Sequence, residues 1–459
     1  MSRLFVSAAH KSSGKTTLSI GIAAALAGEG LHVQCFKKGP DYIDPMWHAR
    51  ASGRPCYNLD FNTQDSSEIL DLAARKSAGA HFTLIEGNKG LHDGVDPEGS
   101  DSSAALAKLL QAPVVLVVDV LGMTRGIAPL LIGYQAFDRD VNIAGVILNR
   151  VGTARQEGKL RAAIERYCDM PVLGAVGRNG ALEVAERHLG LTTPAEDDTC
   201  AAKISAAAAA VRNGVDLRRL QEIACKAGAA SLPRLPEPPL LPQSFTLAVA
   251  RDEAFGFYYP DDLEALQRNG ARLVFFDVLR DAHLPDADAL FVGGGFPEMH
   301  AQRLAANAPL RADIARRITA GIPAYAECGG LMYLGESIEI HGERHAMVGA
   351  IPGRSVFHSR PQGRGLVRLV PAAGHPWALA AGGAPIRAHE FHYASFEPRA
   401  AGLQFAYEVA RGHGVDGSRD GIRVHNLLAN FSHLRDTAQC NWTAAFAGFV
   451  RSILAGKAA

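Results

Sequence analysis

The chain has few cysteines, and none of them is paired: the seven in 459 residues, at positions 35, 56, 168, 200, 225, 328 and 440, include no CxxC and no grouping with histidine at metal-site spacing. That argues against a zinc module and against a disulfide framework, so a reducing cytoplasm is the expected compartment. Net charge is missing as well. Forty-seven basic and 47 acidic residues cancel, which leaves no global field to recruit nucleic acid or an anionic membrane. Long apolar runs are also missing, since each is broken by a charge or is rich in alanine. The first residues enter a strand-like run at once, so neither a membrane span nor a signal peptide is expected. What is there is a chain 47% hydrophobic and 20% charged, long enough for two or three domains with a core each.

The most informative stretch is 325–334, YAECGGLMYL. It sets Cys328 between a short apolar run and the pair Gly329 and Gly330, which opens a segment of helical character. A cysteine on a tight strand-to-helix turn points its sulfur outward and sits near a helix N-terminus, whose partial positive charge favours thiolate. The alternative is a buried cysteine packed in a sheet, because free cysteine is among the most buried residue types.

In the first half, an apolar run at 4–8 precedes HKSSGKTT and an Ala/Leu/Ile segment ending near Gly28. Strand, loop, helix is the order a phosphate cradle needs. Ser12, Ser13, Gly14, Lys15, Thr16 and Thr17 are the expected ATP-binding residues, with Lys15 reaching the terminal phosphates and the Thr16 hydroxyl available to Mg2+. The loop is a variant, because Ala9 stands where GxxxxGKS/T has its first glycine. A second strand at 33–36 leads into KKGPDYIDPMWHA, which places Lys37, Lys38, Asp41, Asp44 and His48 at a strand's C-terminal end, where doubly wound sheets bind ligands. A solvated polar loop is the other reading of that run. A third strand at 82–86 ends on Glu86. Carboxylates at strand tips beside a phosphate loop suit Mg2+, so Thr16, Glu86 and Asp41 are the expected metal ligands, with Asp93 as a further acid to orient substrate or metal.

Near-continuous apolar runs at 114–118, 143–148 and 172–176 read as strands covered on both faces and alternate with alanine-rich helical stretches, which predicts a doubly wound, mostly parallel sheet. Asn149 and Arg150 close one strand, with a base-recognising or a structural role. The stretch 231–243, SLPRLPEPPLLPQ, has five prolines in thirteen residues and is the expected linker between domains 1–230 and 244–459. Beyond it the alternation restarts. A run at 289–292 leads into GGGFPEMH, whose Gly293, Gly294 and Gly295 could line an oxyanion hole or simply join strand to helix. A thiol nucleophile needs a base, and His389, His392 and His433 are the candidates. His433 ranks first because a rigid apolar run precedes it.

Taken in order, GKTT, KKGPDYIDP, GGGFPEMHA, YAECGGLMYL and NFSHL resemble the cobyrinate a,c-diamide synthase family, and the likeness spans nearly the whole chain. The resemblance implies an α/β protein of two domains: an N-terminal P-loop NTPase-like synthetase with a doubly wound, mostly parallel sheet, and a C-terminal class I glutamine amidotransferase-like domain. It implies that Cys328 attacks glutamine with His433 as base, and that Gly294, Gly295 and Gly329 face the glutamine oxygen. ATP with Mg2+ would then activate a tetrapyrrole carboxylate as an acyl-phosphate that ammonia displaces. By motif match, Asp41, Ile43, Asp44 and Asp93 fall at substrate positions and Glu86 at a metal position. The small molecules ATP, glutamine and a tetrapyrrole are the implied partners, and a homodimer is compatible with the sequence. Two departures stand out. Asn88, Lys89 and His92 occupy places that are more apolar or aromatic in the commoner corrinoid enzymes, which keeps a siroheme or nickel-sirohydrochlorin amidase as a rival reading. Arg435 occupies the place, two residues after the base, where class I amidotransferases often carry glutamate. Outside the ligases stand a P-loop ATPase switch with a degenerate amidotransferase domain and a dethiobiotin-synthetase-like carboxylase, which has no need of residues 244–459.

Overall fold

The runs at 4–8, 82–86 and 114–118 are buried at every position and so need cover on both sides. They find it in a seven-stranded sheet made of β1 (Arg3–Ala8), β2 (Val33–Lys38), β3 (Tyr57–Leu59), β4 (Phe82–Glu86), β5 (Val114–Asp119), β6 (Ile143–Val151) and β7 (Val172–Gly177). The spatial order is β3-β2-β4-β1-β5-β6-β7 and every pairing is parallel. Phe5, Phe36, Ile85, Leu116 and Leu148 meet in one buried core. Helices α1 (Lys15–Gly28) and α2 (Ile43–Ser52) leave from the C-terminal ends of β1 and β2. The strand order runs outward in both directions from the middle of the sheet, and that topology opens a crevice at the strand ends.

This sheet belongs to the unit Met1–Pro236, and a second unit is Glu237–Ala459. The computed structural model describes residues 2–180, 186–187, 190–227, 232–236, 238–379, 384–399 and 402–458. Within the proline-rich stretch, Ser231 and Glu237 lie outside the described residues. No described helix is long and apolar enough to cross a membrane.

The second unit is built on a nine-stranded mixed sheet. Ala271–Phe276, Phe245–Ala250, Ala289–Val292, Ala324–Glu327 and Leu427–Asn430 run parallel, in that order across the sheet. Arg419–Val424, Gln404–Arg411, Gly363–Pro371 and Ile386–His392 continue it antiparallel. This half therefore differs from a simple restart of the strand–helix alternation. Between 363 and 424 the described chain forms strands with no helix to carry a parallel crossover, so the strands it adds to this sheet pair antiparallel. Tyr325 anchors the central strand, with its ring 5.2 Å from Phe291, 5.0 Å from Trp442 and 4.9 Å from Trp377.

Candidate active site

Cys328 alone joins the strand Ala324–Glu327 to the helix Gly329–Leu334, with φ 48° and ψ −103°. A residue with a side chain holds such a conformation only where its surroundings enforce it, at a cost of about 1–3 kcal/mol. Here the Cys328 N–H donates to the Asn430 carbonyl at 2.7 Å, while its own carbonyl accepts from the Met332 N–H at 3.1 Å. Strand pairing on one side and a helical turn on the other thus fix both dihedrals and aim the sulfur away from the sheet. The Cys328 side chain acts on the His433 imidazole.

His433 follows Leu427–Asn430, the strand in register with Ala324–Glu327, where Glu327 lies opposite Asn430. Its imidazole is buried. Burial by itself would lower the imidazole pKa, but hydrogen bonds and charge from Cys328 and Glu327 outweigh that and bring it up to about 10. His433 therefore carries its proton at neutral pH, the form in which an imidazole favours thiolate at a neighbouring sulfur. Gly294 explains why the opposing loop can close on it. A Cβ there would sit 2.6 Å from His433 Cε1. Gly294–Gly295 pairs antiparallel with Phe255–Phe257, and the Gly295 nitrogen is 3.1 Å from where a Gly329 Cβ would be, so Gly294, Gly295 and Gly329 form one wall beside Cys328.

The other histidines are placed differently. His389 stacks on His433, with centroids 4.9 Å apart and planes at 12°. Burial, then the positive His433 and Arg435, push its pKa well below the usual range. His392 gives Nδ1 to the Ala394 carbonyl at 2.7 Å and stacks on Phe431 at 4.0 Å, serving the sheet edge. Arg435 donates to Asp261 at 2.6 Å and lies 4.1 Å over the Tyr259 ring.

In the N-terminal unit the phosphate loop follows β1. Ser12 and Gly14 take positive φ, 64° and 85°. The Ser13 hydroxyl donates to the His10 carbonyl at 2.8 Å, and the Asn149 amide donates to the Ser13 carbonyl at 2.9 Å. A Cβ on Gly14 would meet that amide at 2.0 Å, so Asn149, at the end of β6, braces the loop. Lys15 is buried, and Thr17 lies half-buried in α1. The Thr16 hydroxyl reaches Glu86 Oε1 at 2.7 Å and Asp44 Oδ2 at 3.3 Å.

Lys37 stands at the centre of this cluster because register places it beside Glu86 on the neighbouring strand. Its Nζ donates to Asp44 at 2.5 Å, Glu86 at 2.7 Å and the Gly87 carbonyl at 3.3 Å, and is 3.9 Å from Asp41. His48 closes the far side, 2.5 Å from Glu86 Oε2. Burial would lower the Lys37 pKa and raise that of Glu86. The carboxylates outweigh it for Lys37, and Lys37 and His48 outweigh it for Glu86, so both groups stay charged. Asp41 is engaged elsewhere. Its Oδ1 accepts from the Ile43 and Asp44 N–H groups at 3.0 and 3.1 Å, shaping the start of α2. Burial, then the charge of Asp44, raise its pKa to about 6. Ile43 is buried, and the exposed Asp93 accepts the Gly90 N–H at 2.9 Å.

In the sequence Lys37 and His48 stand out only as members of a polar run, with no role of their own. Their signal was position: one ends β2, and the other lies a turn into α2. Removing Lys37 leaves the buried Glu86 and the half-buried Asp44 without its ammonium. Lys37→Met is expected to destabilise the protein by about 3–5 kcal/mol, read from urea unfolding, and a loss below about 1 kcal/mol would show that the carboxylates do not depend on it.

Comparison with known proteins bears on both halves. Residues 5–191 match the family model described as the CobQ/CobB/MinD/ParA nucleotide binding domain, and residues 246–438 the one described as the CobB/CobQ-like glutamine amidotransferase domain. The chain is similar to the cobyrinate a,c-diamide synthase of Magnetococcus marinus, 44% identical over 457 residues that cover 98% of this chain and 97% of the relative. Those of Methanosarcina acetivorans and Methanosarcina barkeri are 37% and 38% identical over 466 and 464 residues, each covering 95% of this chain and 93% of the relative.

Proposed function

This chain belongs to the cobyrinate a,c-diamide synthase family, and from that premise we propose that it amidates the a and c side-chain carboxylates of a cobyrinate-type tetrapyrrole, with ATP to activate the acid and glutamine as nitrogen donor. Cys328 Sγ adds to the side-chain amide carbon of glutamine, and the oxyanion that forms faces the backbone N–H groups of Gly295 and Gly329. The C–N bond breaks as His433 gives its proton to the leaving nitrogen. Ammonia departs and a thioester remains, which water cleaves to glutamate and free thiol.

In the N-terminal unit the loop amides and the start of α1 cradle the triphosphate, and Lys15 reaches its terminal phosphates. The tetrapyrrole carboxylate oxygen attacks the γ-phosphorus, ADP leaves, and ammonia then adds to the acyl-phosphate carbon and expels inorganic phosphate. Among the described residues no three His, Cys, Asp or Glu side chains form a metal cage, and Mg2+ at a nucleotide needs none, because one or two carboxylates with water and phosphate oxygens suffice. The oxygens of Thr16, Asp44 and Glu86 fit that pattern and would hold the ion. When bound, Mg2+ neutralises charge on the phosphoryl oxygens. Asp41, Asp44 and Asp93 are the acids proposed to face the tetrapyrrole, and Ile43 supports them by packing the helix that carries Asp44.

What supports this reading most is that both chemical sets, Thr16–Asp44–Glu86–Lys15 and Cys328–His433, lie within the span over which relatives of that name align. Offering cobyrinate, sirohydrochlorin and siroheme side by side with ATP and glutamine, and weighing the products by mass spectrometry, tests the choice of substrate. Two amides on cobyrinate are expected. Amidation of sirohydrochlorin or siroheme alone would overturn the assignment.

A further inference from the structure

We propose that Glu327, the residue immediately before the nucleophile, is the acidic member of a Cys328–His433–Glu327 triad, a positioning residue that acts through the imidazole. The inference rests on the reading of Cys328 as the glutaminase nucleophile. The place where an acid would be sought, two residues after the base, holds Arg435, and that side chain is committed to Asp261 at 2.6 Å and to the face of Tyr259. The acid comes instead from the strand that carries the nucleophile. Glu327 Oε2 lies 3.3 Å from His433 Nδ1, and both side chains are buried.

The carboxylate is held in the orientation this role needs. Its other oxygen, Oε1, accepts the Tyr325 hydroxyl at 2.6 Å and the Leu434 N–H at 2.9 Å, and the Asn430 amide in turn donates to the Tyr325 oxygen at 3.1 Å. Two donors fix one oxygen and leave the second turned to the imidazole. A separation of 3.3 Å is long for an N–H···O bond, but between buried charges it still carries a strong Coulomb term, and such contacts tighten when substrate is bound. A proton kept on Nδ1 leaves Nε2 for the sulfur, and a neighbouring negative charge stabilises the imidazolium. The groups facing the ring are Cys328, Glu327 and His389, with Arg435 next to His389.

A carboxylate that only tied the backbone together would be replaced by glutamine at little cost, since the glutamine oxygen can accept the same two bonds. The glutamine NH2 would instead face Nδ1 and favour the wrong tautomer. In the full chain, Glu327→Gln is expected to lower glutaminase kcat/KM by about 10²–10⁴-fold. It should also move the alkaline limb of the glutaminase pH profile to lower pH, because the imidazolium loses a stabilising neighbour, and leave ammonia-dependent amidation intact. Glu327→Asp should recover part of the loss. Glutaminase within about threefold of the parent and an unmoved pH profile would overturn the triad. Should Glu327→Gln fail to fold, Glu327→Asp alone decides: a glutaminase loss with ammonia use retained supports the triad, and unchanged glutaminase overturns it. A Cys328→Ala variant that still hydrolyses glutamine would bring down the reading of the nucleophile itself, a different failure.

Discussion

Cys328→Ser is expected to cut glutamine-dependent amidation by at least about 10³-fold while ammonia-dependent amidation stays within about twofold of the parent. A serine hydroxyl keeps the shape of the elbow, including the backbone bonds to Asn430 and Met332, so the fold has little to lose. What disappears is the sulfur beside the imidazolium of His433, whose own pKa is lifted to about 10 against the cost of burial. Ammonia bypasses that step, because it enters after the thiol chemistry is finished. Measuring both donors on one preparation makes the comparison internal. Equal loss with glutamine and ammonia would assign Cys328 to structure, and the chain would then read as an ATPase switch with a degenerate second half.

Lys15→Ala gives the mirror result. Amidation should fall by about 10³-fold with either donor, since phosphoryl transfer depends almost wholly on positioning and charge compensation, while glutamine hydrolysis partly survives. Stability should not fall with it. Burial, then the charge of Lys37, lower the Lys15 pKa below the usual lysine range. The charged form is therefore disfavoured by folding, and its contribution to stability is unfavourable at neutral pH and is relieved as pH rises through the folded-state pKa. Alanine removes that strain, whereas Lys37, whose pKa is raised, is a cation that the fold needs. A Lys15→Ala protein that loses both activities together would mean that the phosphate loop and the thiol site are not separable functions.

Much of this was legible in the sequence for identifiable reasons. Strands buried on both faces announce themselves as short, mostly apolar runs, and 82–86 and 289–292 match the strands Phe82–Glu86 and Ala289–Val292 residue for residue. The elbow at Cys328 was visible because the two glycines after it have few other uses. The antiparallel part of the second sheet was not, since 363–424 lacks the helical spacers that mark parallel crossovers. The pair of Thr16 with Glu86 could be anticipated from strand tips, yet the choice between Asp41 and Asp44 depends on a turn in which Asp41 Oδ1 accepts two backbone N–H groups, leaving Asp44 to reach Thr16. Glu327 was hidden for a related reason. Alternation along a strand sends residues 327 and 328 to opposite faces, and only the positive φ of Cys328, with a neighbouring strand that returns His433, brings acid and sulfur to the same imidazole. His389, stacked behind His433, is brought there by an isolated bridge between distant segments, a pairing that no local pattern records.

In the proposed reaction, nitrogen freed by a thiol meets a carboxylate activated by phosphate. Cobyrinate carrying ¹⁸O in both oxygens of its carboxylates, turned over with ATP and glutamine labelled with ¹⁵N in its amide, tests both halves at once. Each ¹⁵N found in the product should be matched by one ¹⁸O in the inorganic phosphate released. Product amide that carries ¹⁵N while the phosphate stays free of ¹⁸O would contradict the acyl-phosphate, and with it the role given to Lys15, Thr16 and Glu86.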